Sequence, residues 1–144
     1  MTEIRRVLEK IPQKEIIESI DSDGPKIHKT ENESYLIEIP ELFFDEIMDQ
    51  YHLSRNEIRV LLFLYRQVWC YPNLYQKYGI SPLNNLLDLS KGFKLSYNDL
   101  HKVIKKLEDY EFIHTIRSGQ YFVRRFFLPE YDKMYSQEYD DFDF

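Results

Sequence analysis

A chain of 144 residues with 43% hydrophobic residues, 16% aromatic residues and a net charge of −6 has room for one compact domain and leaves little for long disordered tracts. The sequence contains no run near the roughly 18 apolar residues of a membrane-spanning helix, and its first residues lead into no apolar signal core. Because Cys70 is the single cysteine, an internal disulfide and a cysteine-based zinc site within one chain are excluded, and we expect a cytoplasmic protein.

Residues 1–34 predict an amphipathic N-terminal helix followed by a polar linker. Isoleucine, leucine and valine recur at helical spacing between Ile4 and Ile20, and Pro12 interrupts the pattern. The linker begins at residues 21–25, where aspartate, glycine and proline break the helix. The apolar stripe is a candidate homodimer contact, although it is too short to decide between one chain and two.

Residues 35–129 contain the elements of a small helical domain. A short extended piece ends at Pro40, and residues 41–50 then show a helical period. Ser54 and Glu57 have the spacing of a capping box, in which the serine oxygen meets a backbone N–H and the glutamate reaches back. This box begins the most strongly patterned helix of the chain.

Two further helices and a hairpin follow in the sequence. Ser81-Pro82 predicts the start of a short second helix, because a proline at the first helical position lacks only an N–H that would be unpaired. Ser96 caps a third helix that ends near Tyr110. Residues 112–128 predict a β-hairpin with a tight turn at residues 118–119.

The order helix, short helix, helix, hairpin is that of a winged helix-turn-helix domain. The predicted fold class is therefore α+β, mainly α, with a three-helix core, a β-hairpin wing and an N-terminal helical extension. The predicted boundaries are residues 1–34 for the extension and linker, 35–129 for the winged helix-turn-helix domain, and 130–144 for an acidic, aromatic C-terminal tail.

Charge is segregated along the chain. Residues 54–129 carry 12 basic and 6 acidic residues, whereas residues 1–53 carry 13 acidic and 6 basic residues. The tail, residues 130–144, adds 6 acidic residues and 1 basic residue. Because only charges within about a Debye length act on a phosphate backbone, the basic block is compatible with nucleic-acid binding despite the negative total. The alternative is the ordinary scatter of charge in a small domain.

The third helix predicts a nucleic-acid-binding surface. A helix that enters the major groove needs hydrogen-bonding groups near its N-terminus for base edges and cations beside them for phosphates. Asn98 and His101 supply the first, Lys102 and Lys105 supply the second, and the N–H groups after Ser96 add a phosphate site. The alternative is a plain solvated helix face. The candidate DNA-binding residues are Lys91, Lys94, Ser96, Tyr97, Asn98, His101, Lys102, Lys105 and, at a short flexible hairpin tip, Arg117 and Gln120.

The sequence offers no constellation for catalysis. Its four histidines lack metal-ligand spacing, and it contains no glycine-rich phosphate loop, nucleophile elbow or cysteine–histidine pair. Cys70 is better interpreted as a small core residue than as a nucleophile, and Trp69 as core packing rather than base stacking. We therefore expect no enzymatic activity, no cofactor and no metal.

The C-terminal tail ends in the residues YDDFDF, positions 139–144. This ending resembles the acidic, phenylalanine-terminated tail of bacterial single-stranded DNA-binding proteins. The resemblance implies a protein partner that the tail recruits. The alternative is a solubilising or DNA-mimicking tail that competes for the basic face of its own chain.

Residues 35 to about 113 resemble the N-terminal winged-helix domain of phage replication protein O and related phage or plasmid replication initiators. The resemblance is carried by residues 37–43, IEIPELF, by residues 53–66, LSRNEIRVLLFLYR, and by the later Ile80-Ser81 and 107–113 segments. It implies sequence-specific binding of double-stranded DNA at an origin or operator. In that family's terms, the recognition-helix positions are Ser96, Asn98, His101, Lys102 and Lys105.

Two hypotheses follow from the sequence. The leading one is a DNA-binding protein that acts in replication initiation or in transcription regulation. The alternative is a winged-helix protein–protein interaction module or adaptor with no direct DNA binding, which the overall acidity of the chain favours.

Overall fold

The computed structural model describes residues 36–142 of the chain. The chain divides after Ile37, and the fold given below is that of the second unit, Glu38–Phe144. The predicted N-terminal helix and its candidate homodimer contact lie outside the described residues. The second unit continues through the segment that the sequence predicts to be a separate tail.

The described residues form an α+β fold that is mainly helical, as the sequence predicts. A π-helical turn, Phe43–Ile47, lies directly before the first helix. A second π-helical turn, Arg66–Cys70, extends the second helix at its C-terminal end, and a 3-10 turn, Gln76–Tyr78, comes next along the chain. None of these helices is long and apolar enough to cross a membrane. The elements are α1 (Met48–Gln50), α2 (Arg55–Tyr65), α3 (Leu86–Phe93), α4 (Tyr97–Asp109), β1 (Ile113–Arg117), β2 (Gln120–Val123) and α5 (Pro129–Met134).

The capping box predicted before α2 is confirmed. The Ser54 hydroxyl accepts a hydrogen bond from the Glu57 backbone N–H at 3.1 Å, and the Glu57 carboxylate accepts one from the Ser54 N–H at 3.0 Å. Two of the unpaired donors at the helix start are thereby satisfied. The helix then buries Val60, Leu61 and Leu64 in the core.

The prediction that the second helix begins at Ser81-Pro82 is wrong. The helix α3 begins after Asn85, whose side chain accepts hydrogen bonds from the Leu87 and Asp88 N–H groups. Residues 79–81 instead run beside β2, where the Ser81 N–H donates to the Tyr121 carbonyl at 2.9 Å. The helix is therefore capped by Asn85 and does not begin at Pro82, because the backbone at Ser81 is hydrogen-bonded to β2.

The strands β1 and β2 form an antiparallel hairpin with Ile113 opposite Val123 and a bulge between Thr115 and Arg117. The second strand ends at Val123, whereas the sequence predicts that it runs to Leu128. After Val123 the chain turns: the Phe127 N–H donates to the Arg124 carbonyl at 3.4 Å, and Phe127 has a positive φ of 73°, outside the β region.

The core lies between α2, α3, α4 and the inner face of the hairpin. Phe127 stacks on Tyr65 with ring centroids 5.0 Å apart, and the Tyr65 hydroxyl donates to the Arg125 carbonyl at 2.9 Å. Trp69 and Cys70 are half-buried and pack against this core, in agreement with their predicted packing roles. Burial also raises the pKa of the Cys70 thiol, so the thiol is a poor nucleophile at neutral pH.

We expect the free energy of unfolding to fall as the pH rises above about 10, because burial raises the pKa of Tyr65, Tyr121 and Tyr139 above the ordinary value of 10. Below the pKa of the unfolded chain, both states keep the hydroxyl protons and these tyrosines do not lower the free energy of unfolding. Above that pKa only the unfolded chain releases the protons, so the free energy of unfolding falls. Each of these tyrosines lowers the free energy of unfolding by up to about 1.4 kcal/mol per pH unit in this range. Urea unfolding between pH 8 and 11 measures the slope.

Tyr139→Phe is the matched control for this pH dependence. It removes one titrating hydroxyl and leaves the aromatic ring in place, so its slope above pH 10 should be smaller than that of the natural chain. Equal slopes for the two proteins would show that the hydroxyl titrates alike in the folded and unfolded chains.

Candidate nucleic-acid interface

The helix α4 forms as predicted and exposes one face. The Ser96 hydroxyl accepts a hydrogen bond from the Asp99 N–H at 3.0 Å and caps the helix. Leu100 and Leu107 are fully buried on the opposite side. Tyr97 and Asn98, the first two residues of the helix, are exposed, and their N–H groups are of the kind that can bind an anion.

The exposed stripe of α4 consists of Asn98, His101, Lys102 and Lys105, all of which are solvent-exposed. Their spacing of three and four residues places them on one side of the helix. The His101 ring meets the edge of the Tyr97 ring with centroids 4.5 Å apart. The stripe thus joins an amide, an imidazole and two ammonium groups in one row.

Within residues 36–142, Lys105 is the member of the exposed stripe that forms an ion pair. Its ammonium lies 3.7 Å from an Asp109 carboxylate oxygen, and the two side chains are 75% and 59% exposed. Such an exposed pair contributes little to stability and is screened by salt. Lys105 can therefore exchange this partner for a phosphate at small free-energy cost.

Lys91 lies in the last turn of α3 rather than in a loop, whereas Lys94 lies in the connection that leads into α4, and both are exposed. Lys94 adopts a left-handed φ of 57° directly after α3, and its N–H donates to the Lys91 carbonyl at 3.1 Å. The Leu95 N–H donates to the Ser90 carbonyl at 2.9 Å. These bonds close the end of α3 and hold the two lysines beside the start of α4.

A groove of about 610 Å³ separates α4 from the hairpin. His101, Lys102 and Lys105 line it from the helix, and Thr115 and Ser118 line it from the hairpin. Thr115 and Ser118 are not among the DNA-binding residues predicted from the sequence, because their approach to α4 depends on tertiary packing. The groove therefore extends the exposed stripe toward the hairpin turn. Its other polar lining residues are Lys106, Glu108 and Asp109.

The prediction that Gln120 lies at a flexible, exposed hairpin tip is wrong, and the side chain is not accessible to DNA in this structure. Gln120 is only 2% exposed, and its amide donates to the Ser81 carbonyl at 3.0 Å. The amide oxygen accepts a hydrogen bond from Arg117 Nε at 2.9 Å. The Gly119 carbonyl accepts a hydrogen bond from the Asn84 N–H at 2.8 Å, so the tip is anchored to the preceding loop. Arg117 remains exposed beside the turn.

The two arginines after β2 lie away from the hairpin tip. Arg124 pairs with the buried carboxylate of Asp132 at 3.2 Å, and the Arg125 guanidinium lies over the Trp69 ring at 5.5 Å. The Asp132 carboxylate also accepts hydrogen bonds from the Phe126 N–H at 2.9 Å and the Tyr139 hydroxyl at 2.7 Å. These arginines therefore hold the acidic tail, residues 130–144, through Asp132 and Gln137.

The acidic tail is folded in the described residues rather than free. It forms α5 and then turns back, and the Asp140 N–H donates to the Lys77 carbonyl at 3.0 Å. The ring contacts of the tail seen in residues 36–142 are with aromatic side chains outside α4. The bonds that fix the tail thus leave the exposed stripe uncovered. Within the same residues, no group of three or more His, Cys, Asp and Glu could hold a metal ion.

No family model, no curated protein and no solved structure matches this chain. The assignment of a function therefore depends on the geometry of the chain itself.

Proposed function

We propose that this chain is a winged helix-turn-helix protein that binds double-stranded DNA through the exposed stripe of α4. The element order supports the fold: α2, an extended segment paired with β2, α3, α4 and then the hairpin. A three-residue connection, residues 94–96, joins α3 to α4, as in a helix-turn-helix. The proposed setting is phage- or plasmid-type replication initiation or transcription regulation in the cytoplasm.

The observation that carries the proposal is the composition of the exposed stripe. Asn98 offers an amide that can pair with an adenine edge in both directions, and His101 offers a ring nitrogen one turn further on. Lys102 and Lys105 lie on the same side of the helix, where their ammonium groups can neutralise phosphates. A helix face with base-reading groups near its N-terminus and cations along its length fits a major groove.

The hairpin contributes to the proposed interface in a restricted way. Its turn has two residues and is hydrogen-bonded to Asn84, so it does not project as a long wing. We infer that Arg117 and Ser118 contact phosphates beside the groove while α4 reads base edges.

The experiment is an anisotropy titration of the full chain against a fluorescent random-sequence duplex at several salt concentrations. With about four lysine–phosphate contacts, raising the salt from 50 to 200 mM should weaken binding by roughly 100-fold, because each contact releases a counterion. A folded protein that shows no binding to duplex at 50 mM salt would refute the proposal.

A further inference from the structure

Aromatic side chains from the π-helical turn after α2, from the region of the 3-10 turn and from β2 form a surface that we call the outer aromatic face: Trp69, Tyr75, Tyr78 and Phe122. Two rings of residues 137–142, which we call the C-terminal segment, pack against this face. Tyr139 meets Phe122 edge to face with centroids 4.7 Å apart and approaches Trp69 at 6.1 Å. Phe142 meets Tyr78 at 5.2 Å and Tyr75 at 6.0 Å.

Polar groups fix the register of this segment. The Tyr139 hydroxyl donates to the Asp132 carboxylate at 2.7 Å and accepts a hydrogen bond from the Arg125 N–H at 2.9 Å. One residue later, the Asp140 N–H donates to the Lys77 carbonyl at 3.0 Å. The Arg125 guanidinium donates to the Gln137 side-chain oxygen at 3.3 Å, and the Lys77 ammonium lies 5.0 Å from the centre of the Tyr78 ring. The face thus holds the segment through ring contacts and hydrogen bonds, and its two cations are opposite in sign to the three carboxylates of the segment, Glu138, Asp140 and Asp141.

Gly79 makes room for the tyrosine ring. Its φ is +71°, and a Cβ added there would lie 2.8 Å from the Phe122 ring and 2.9 Å from the Tyr139 ring. Real Cβ atoms do not approach other atoms this closely. The seat for Tyr139 therefore depends on the absence of a side chain at position 79.

The C-terminal segment is seated as a ligand would be, on a domain whose core is complete without it. The buried hydrophobic core runs from Leu42 to Leu128 and contains no residue of the segment. Residues 137–142 form neither helix nor strand. Ser136, which joins them to α5, has a positive φ of 56°. Losing the segment would expose the outer aromatic face and leave the core intact.

We propose that the outer aromatic face is a peptide-binding site for acidic segments that carry two aromatic residues three positions apart. The chain's own residues 137–142 occupy it in the described structure, and a partner protein with a segment of the same chemistry competes for it. Because a tethered segment acts at an effective concentration on the order of millimolar, such a partner must bind tightly to displace it. The proposal does not depend on DNA binding.

The test uses Trp69, the single tryptophan of the chain, as the reporter. In the full-length double variant Tyr139→Ala, Phe142→Ala, we expect its emission to shift to longer wavelength because Trp69 loses its cover. A synthetic peptide of residues 137–144, QEYDDFDF, should restore the natural emission when added in trans. A control peptide of equal charge, with alanine at the positions of Tyr139 and Phe142, should need more than about tenfold higher concentration, since two aromatic contacts are lost.

The outcomes separate a binding site from a passive contact. Unchanged emission in the double variant, or equal effects of the two peptides, would overturn the proposal. If the double variant is unfolded at the assay temperature, the readout becomes its melting temperature, because a ligand that binds only the folded chain raises it. The natural peptide should then raise Tm and the control peptide should not, and failure of the natural peptide to do so would equally overturn the proposal.

Discussion

Replacing Gly119 with alanine should destabilise the domain by about 2 to 5 kcal/mol, through left-handed backbone strain and overpacking together. Gly119 has a φ of +89°, and an added Cβ would collide with the backbone carbonyl oxygen of Asn84. That carbonyl cannot retreat alone, because the same residue donates from its N–H to the Gly119 carbonyl at 2.8 Å. The substitution would therefore push the hairpin turn away from the loop before α3.

Gly92→Ala is the matched control for this substitution. Gly92 lies in α3, and a Cβ added there would meet nothing within 4 Å. Alanine should stabilise this helix by up to about 1 kcal/mol, because it narrows the unfolded ensemble. Urea unfolding at constant m-value compares the two variants. Alanine effects of the same sign and size at both positions would contradict the described contact at Gly119.

Removing the buried carboxylate of Asp132 should lower the free energy of unfolding by about 3 kcal/mol, the lower end of the range for breaking a buried ion pair. The side chain of Asp132 is 5% exposed and that of Arg124 is 26% exposed, at a separation of 3.2 Å. Asp132→Ala would also leave the Phe126 N–H and the Tyr139 hydroxyl without their acceptor. Water reaches part of Arg124, which keeps the effect at that lower end.

Asp109→Ala provides the comparison for Asp132. It breaks the exposed pair with Lys105, and we expect a change below about 0.5 kcal/mol. Urea unfolding of both variants at pH 7 measures the difference. An Asp132→Ala variant as stable as Asp109→Ala would show that the carboxylate does not hold the C-terminal segment.

Local sequence signals predicted the parts of the fold that local interactions build. The Ser54 and Ser96 caps lie within three residues of the N–H groups that they accept from, so the starts of α2 and α4 could be read directly. The exposed stripe followed from the helical period of α4 in the same way. The outward residues of the candidate site on α4 were therefore predictable.

Contacts between distant residues decided what the sequence could not predict. The burial of Gln120 depends on the Ser81 carbonyl, 39 positions earlier in the chain. Ile80 pairs with Phe122 of β2, so residues 79–81 run along the hairpin. The helix α3 therefore begins only at Leu86. The sequence predicts an acidic, aromatic tail, and it does not predict that Tyr139 and Phe142 pack on the outer aromatic face. No local pattern records these long-range pairings.

The most direct test of the central claim compares the salt dependence of duplex binding for two charge-matched variants. Lys102→Ala, Lys105→Ala removes both lysines of the exposed stripe, whereas Lys77→Ala, Lys133→Ala removes two exposed lysines outside it. If α4 is the DNA-binding surface, the first variant should reduce the slope of log affinity against log salt by about two and the second should leave it unchanged. Equal slopes for the two variants would show that DNA, if bound at all, is held elsewhere.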